Sequence, residues 1–319
     1  MSRPTALTVF ALSLMALAAG CRGADRPKTT SESVGATTPT VSASSSTESG
    51  STGSVATPVT YESAEGVFND GRYSDATRLF TAYTESNPEN AWGFYMLGLS
   101  AWKAGDHEGS LEAFDQALRL DPNHRKSLLN SARVLLETAR PKEALERVKQ
   151  ALAIEPLSSD GLRLLGRAHH ELGEIPEAID AYQRAIAIDD KDTWAMNNLG
   201  FIYIQQGRSD EALPPLARAV EIRGNVPVFQ NNLGTVLERA GHLAAARQAY
   251  EAALEADSTY TKASVALDRV KSRGEGSDTA AVDLTALSSE FQSEVERWRS
   301  TTQADSVQPS GMVRDSVSQ

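Results

Sequence analysis

The sequence predicts an all-α solenoid built from stacked helix pairs, and three observations carry that expectation. The 319-residue chain repeats every 34 residues without insertion or deletion. Units open at Thr57, Ala91, Arg125, Ser159, Thr193 and Pro227, with a half-unit at Thr261. An Ala or Ser returns at the twentieth place of every unit: Ala76, Ser110, Ala144, Ala178, Ala212 and Ala246. Within a unit, apolar residues recur at helical spacing on either side of a turn. A period of this length marks a supersecondary block that cannot bury its apolar face alone, so neighbours must stack. Function is therefore expected on a continuous surface rather than in one pocket.

Residues 1–20 stand outside the repeat. Arg3 supplies a short positive region, and Thr5 to Ala19 is a stretch of small residues and leucines about 15 long. A spanning helix needs about 20 apolar residues, so this stretch suits an export signal. It ends Leu17-Ala18-Ala19-Gly20-Cys21, and Cys21 is the one cysteine of the chain. This resembles a bacterial lipoprotein signal. The resemblance implies cleavage before Cys21, lipidation of its thiol and a place in the bacterial cell envelope, at the outer membrane facing the periplasm in a Gram-negative cell. The alternative is an ordinary export signal with a chance cysteine, which would leave an unpaired thiol. Residues 21–56 are Ser, Thr, Gly and Pro with almost no bulky apolar groups. Such a segment cannot offset its ordering entropy, and it reads as a disordered tether with a reach on the order of 30–35 Å.

The repeats occupy 57–260 as units 57–90, 91–124, 125–158, 159–192, 193–226 and 227–260. In the second unit a first helix is expected over about Trp92 to Lys103, with Gly105 ending it through its tolerance of positive φ. A second helix starts near His107 and carries Leu111, Phe114, Ala117, Leu118 and Leu120. Asp121-Pro122 closes it, because the residue before proline is pushed out of the α region. Small residues recur where helices must approach: Gly98, Gly166, Gly200 and Gly234 at the eighth place, with Ala64 and Ala132 in the other units. Bulky partners stand at the twenty-fourth: Phe80, Phe114, Val148, Tyr182, Leu216 and Tyr250. Gly71, Gly105, Gly173, Gly207 and Gly241 mark the turn between helices.

These residues resemble the tetratricopeptide repeat (TPR) family over about 57–272. The resemblance implies a right-handed α-solenoid of six helix hairpins, with a concave groove lined by the first helix of each unit. Pro214-Pro215 sits just past the first turn of a second helix and removes two backbone donors, so a bend or late start is expected there. Residues 261–272 read as a capping helix over the last apolar face.

Composition narrows the chemistry. A formal charge of −11 and a pI near 5.0 argue against a nucleic-acid binder, which wants a basic stripe. The sequence holds no P-loop, dinucleotide fingerprint or nucleophile elbow. The five histidines do not stand in ligand spacing, so neither a metal nor a cofactor is expected. The reading is a non-enzyme.

The family resemblance also implies that places two, five, nine and twelve of each unit face the groove. The second unit then offers Trp92, Tyr95, Leu99 and Trp102. The third and fourth offer Lys126, Arg133, Arg163, Arg167 and His170, with Asp160 among them. The fifth offers Trp194, Asn197, Phe201 and Ile204. Aromatic patches thus flank a basic centre. Arginines suit a carboxylate through paired donors, and Trp and Tyr serve as anchors; the alternative is a solvated basic face with aromatics packed under neighbouring units. Asn130, Asn198 and Asn232 recur at the sixth place, with Asn197 and Asn231 beside two of them. This resembles the asparagine ladder of peptide-binding TPR proteins, though Asn-Asn-Leu-Gly is also a common form of the repeat. The carboxylate-clamp set of chaperone-binding TPR proteins is not matched, because Tyr61 and Glu65 stand where lysine and asparagine are needed.

Residues 273–319 leave the repeat phase. Leu284, Leu287, Phe291, Val295 and Trp298 form one stripe on an amphipathic helix at about 281–299. Alone it would be marginal, so it should dock on the solenoid's end, in its groove, on a second copy or on a partner. The functional expectation is a membrane-tethered scaffold or adaptor that binds protein or peptide segments in its groove and helps assemble an envelope complex. The alternatives are an accessory subunit of a cell-wall or glycan-modifying enzyme, and a structural oligomer joined through the C-terminal helix.

Overall fold

The structure is a computed structural model that describes residues 59–273 and 281–307, with backbone alone for 301–307. The signal region, Cys21, the tether and the last twelve residues lie outside the described residues. Within them every regular element is α-helical. The units are the hairpins α1 (Tyr61–Asn69) and α2 (Tyr73–Ser86), α3 (Ala91–Ala104) and α4 (His107–Leu120), and α5 (Arg125–Glu137) and α6 (Pro141–Ile154). They continue as α7 (Ser159–Leu172) and α8 (Ile175–Ile188), α9 (Thr193–Gln205) and α10 (Ser209–Ile222), and α11 (Pro227–Arg239) and α12 (Leu243–Ala256). Then come α13 (Thr261–Ser272) and α14 (Leu284–Val307).

Local chemistry explains the boundaries. The last place of each of the first four units caps the first helix of the next. Thr60 caps α1, and Asn90, His124, Ser158 and Asp192 cap α3, α5, α7 and α9 by accepting a backbone N–H three residues on. At the sixth unit the cap is absent, and Pro227 begins α11 where no donor is lost. The five turn glycines take φ of 73–91°. Ala139 occupies the same place in the third unit and is forced to φ 56°.

In four of the six hairpins the eighth place is a glycine with no room for a side chain. A Cβ at Gly166 would lie 2.8 Å from the Tyr182 ring, and one at Gly234 would lie 2.7 Å from Tyr250. Where the eighth place is Ala132, its partner shrinks to Val148, and both are fully buried. Successive first helices lie close along the whole array, whereas the backbones of successive second helices stand further apart, with α4 and α6 joined by the Arg147–Asp115 ion pair. The first helices are therefore the inner, concave layer and the second helices the outer one.

Pro214 and Pro215 do not delay α10. It starts at Ser209, two residues past the turn glycine, and runs through both prolines. What they change is the outer surface. α14 leaves the last repeat and packs on α8 and α10. Its Phe291 and Val295 are 2% exposed, Arg299 donates to the Ala187 carbonyl at 2.8 Å and pairs with Asp190 at 3.1 Å, and Ser288 bonds Glu221. In α4 and α6 the places matching Pro214, Pro215 and Ala217 hold Glu112, Ala113 and Asp115, and Glu146, Arg147 and Lys149. Charge loss on α10 thus makes an apolar seat. α14 lies on its own chain's outer layer, away from both the groove and the end of the array.

The end is closed by α13, which packs on α11 and α12. Glu238, 8% exposed, takes Arg269 at 2.6 and 2.8 Å, Arg273 at 3.3 Å and the Tyr250 hydroxyl at 3.0 Å. Its hydrogen bond from Arg269 outweighs burial and holds the carboxyl below its ordinary pKa.

Candidate peptide-binding surface

The inner layer is where the candidate residues gather, and a simple register organises them. A side chain at place five of one unit meets place six of the next. Asn130 donates to the Tyr95 hydroxyl at 3.2 Å, and Asn232 donates to Asn197 at 2.9 Å. The same offset of 35 residues recurs one helical face further on. Trp102 donates to Glu137 at 2.8 Å, His170 bonds Gln205 at 2.7 Å, and Arg239 donates to the Ile204 carbonyl. These rungs staple α3 to α5, α7 to α9 and α9 to α11. Those between places five and six satisfy polar atoms that burial would otherwise strand.

The rungs decide which predicted residues remain open to a ligand. Asn130, Asn197, Asn231 and Asn232 are all buried, Asn197 to 2% exposure. Asn231 donates to Asn232 at 3.5 Å, and Asn198 accepts from Asn197 at 3.4 Å. The asparagines are thus bonded to neighbours in the inner layer; Asn198 is half-buried. Tyr95 is buried as well, and Leu99, Trp102 and Phe201 are half-buried.

The basic centre is matched by acids. Arg133 and Arg163 both bind Asp160, and Arg163 also reaches Asp192 at 3.1 Å. Arg167 pairs with Glu171 on its own helix at 2.9 Å. Burial works to raise the Asp160 pKa, but the charges of Arg133 and Arg163 outweigh it and hold the carboxyl below its ordinary value. Asp192 does three things: it caps α9, binds Arg163 and accepts from Ser159 at 3.0 Å. Sequence reasoning placed Asp160 in this face and passed over Asp192 and His124. The signal for both was their common place, the last of a unit, where caps recur.

Two features stay accessible. Trp92 is 48% exposed, stands edge-on to Tyr95 (ring centroids 5.4 Å apart) and has the Lys126 ammonium 5.0 Å from its ring. Further along, an open cleft of about 510 Å³ lies over the starts of α7 and α9. It brings Arg163 and Trp194 together with exposed Lys191 and Arg223 on its rim. Trp194 rests edge-on against buried Phe229, with centroids 4.9 Å apart.

Four tetratricopeptide-repeat family models match the chain, over residues 61–125, 101–168, 166–207 and 193–259. No curated protein matches its sequence. Among solved structures, the chain is similar to the APC/C hetero-tetramer Cut9–Hcn1, with TM-score 0.58 and 18% identity over 65% of this chain and 41% of that one. It is similar to PilF of Pseudomonas aeruginosa at TM-score 0.53 and 18% identity, over 67% and 97% of the two chains. A thermophilic TPR protein of Thermus thermophilus gives TM-score 0.50 and 22% identity, over 57% and 99%. At these identities the likeness is one of fold. With the 34-residue phase, the paired helices and the family matches across residues 61–259, the chain belongs to the tetratricopeptide repeat family.

Proposed function

We propose that this protein is a membrane-tethered adaptor that holds a segment of another protein along its inner helix layer and helps assemble an envelope complex. The mechanism is reversible binding without bond chemistry. The observation that carries it is the half-exposed Trp92 with Lys126 above its ring, on a layer whose other polar groups are largely bonded to one another. A large aromatic left open beside a cation is the composition of a binding hot spot. The cleft holding Arg163 and Trp194 lies two units further along the same layer, so an extended segment can engage both. Lipidation at Cys21 supplies the tether in this reading.

The test is site-directed photo-cross-linking in cells, with the photoreactive residue at position 92 and, as the outer-face control, at exposed Glu112 of α4. A partner captured from position 92 and not from 112 supports the groove. Trp92→Ala with Lys126→Glu should cut its binding by about 30-fold or more, the scale of a truncated aromatic hot spot, with helical content and melting unchanged. Equal capture from both positions, or binding indifferent to the double change, removes the groove from the reading. Cys21→Ala should release the protein from membranes; continued membrane association would remove the lipid anchor.

A further inference from the structure

His124 is the inner-layer side chain with an unfinished bonding pattern. It is 6% exposed. Its Nδ1 caps α5, 3.3 Å from the Ser127 N–H and 2.8 Å from the Ser127 hydroxyl. A ring nitrogen that accepts a backbone N–H carries no hydrogen, so the neutral imidazole keeps its proton on Nε2. That Nε2–H is buried and has no hydrogen-bond partner. Trp92 covers it, edge-on with ring centroids 4.7 Å apart, and Tyr95 flanks it at 5.1 Å. About half of the Trp92 indole faces solvent. Beside it stands the exposed ammonium of Lys126, which forms no ion pair among the described residues. Asp121, three residues before His124, accepts the Asn123 N–H at 3.0 Å.

A buried donor, an exposed cation and a half-exposed aromatic cover therefore meet at one junction of the inner layer. The donor lacks an acceptor and the cation a counter-charge, and a carboxylate would supply both. We propose that the junction of the second and third units is an acceptor subsite for an acidic side chain of the bound segment. The carboxylate takes the His124 Nε2–H and the Lys126 ammonium together, and the Trp92 indole turns aside to pack on the ligand's methylene groups. The inference rests on the groove-binding reading and adds its chemical preference: an Asp or Glu at one fixed position of the partner.

The variant that separates function from folding is His124→Asn. Asparagine caps α3 at the equivalent place, as Asn90, so the cap is kept while the Nε2–H is removed. A bead-displayed random dodecapeptide library is selected on the purified full chain, and the best sequence is remade with Glu and with Gln at its recurrent acidic position. On the natural chain Glu should bind about tenfold or more tighter than Gln, the scale of a charge-assisted hydrogen bond. His124→Asn and Lys126→Gln should each reduce that ratio at least threefold, with melting unchanged. If peptides are selected and lost on Trp92→Ala, but Glu and Gln bind alike or His124→Asn keeps the ratio, the groove stands and this subsite falls; the Nε2–H then rests on the indole alone. If no peptide is enriched, or Trp92→Ala binds as well, the groove reading falls and takes the subsite with it.

Discussion

Ala139→Gly should stabilise the protein, against the usual direction of that substitution in a helix. Ala139 is the one non-glycine residue with positive φ among the described residues, and its five counterparts in other units are all glycine. The turn leaves it no alternative. The Arg140 N–H reaches the Leu135 carbonyl at 2.8 Å, and the Ala139 N–H reaches Leu136 at 3.4 Å. These bonds satisfy the frayed end of α5 only if residue 139 is left-handed. An L side chain in that region costs about 1–2 kcal/mol. Glycine removes the cost but has more backbone freedom to lose, roughly 0.5–1 kcal/mol relative to alanine. The net gain is about 0.5–1 kcal/mol. The alanine side chain is exposed, so no packing is lost. For a chain of this size the gain corresponds to a rise in melting temperature of about 1–4 °C. Circular dichroism at 222 nm through a thermal and a urea titration would measure it. Gly173→Ala, with φ 80°, is the mirror experiment and should lower the midpoint by a similar amount. An unchanged or lower midpoint for Ala139→Gly would refute the strain argument.

Three other outcomes are expected. Gly166→Ala puts a methyl against the Tyr182 ring and should cost about 1–3 kcal/mol in urea titrations, despite the better helix propensity of alanine; adding Tyr182→Val, which copies the native Ala132–Val148 pair, should recover part of it. Phe291→Ala should cost the α14 seat about 3–5 kcal/mol, so hydrogen exchange in α14 should rise to that of a free helix while α3 to α6 stay protected. Acid should loosen α13: the folded Glu238 pKa lies below its ordinary 4.5, so its stabilisation is full above that value and is lost as pH falls through the folded pKa. Glu238→Gln should mimic the acid state at pH 7 at a cost of about 1–2 kcal/mol, limited by solvent around the half-exposed arginines, with faster exchange confined to α13 and the end of α11.

Much of the fold was legible because its determinants are local and repeated. The eighth-place glycines, the twenty-fourth-place rings and the turn glycines are each set by a neighbour within the same hairpin, so spacing alone exposes them. The candidate surface was harder to read. Mapping places two, five, nine and twelve to one face located Trp92, Arg163 and Trp194. It did not say that Arg163 would bind Asp160 and Asp192, or that Asn197 would be spent on Asn232. Asn197 and Asn232 lie 35 residues apart, Asp192 reaches Arg163 from the cap of the next first helix 29 residues on, and Asp160 is three residues away on the same helix. The signal was present as complementary residues one place beyond the repeat length: Tyr95 with Asn130, Trp102 with Glu137, His170 with Gln205. An arginine looks like a binding cation until the acid facing it across the next helix is known.

By itself the sequence determined the period, the helix pairs and the turns, because each is set within one 34-residue block, and it required that neighbouring blocks stack. Only the tertiary structure decided which inner-layer groups are bonded to one another. Staggering each unit by one place against the last puts several polar groups of the inner layer into inter-unit bonds, whereas Trp92 and Lys126 stay exposed and His124 Nε2 is without a hydrogen-bond partner among the described residues. It also decided where α14 goes. An amphipathic stripe states only that it must be covered; Pro214, Pro215 and Ala217, on a helix more than sixty residues earlier, supply the uncharged surface that covers it.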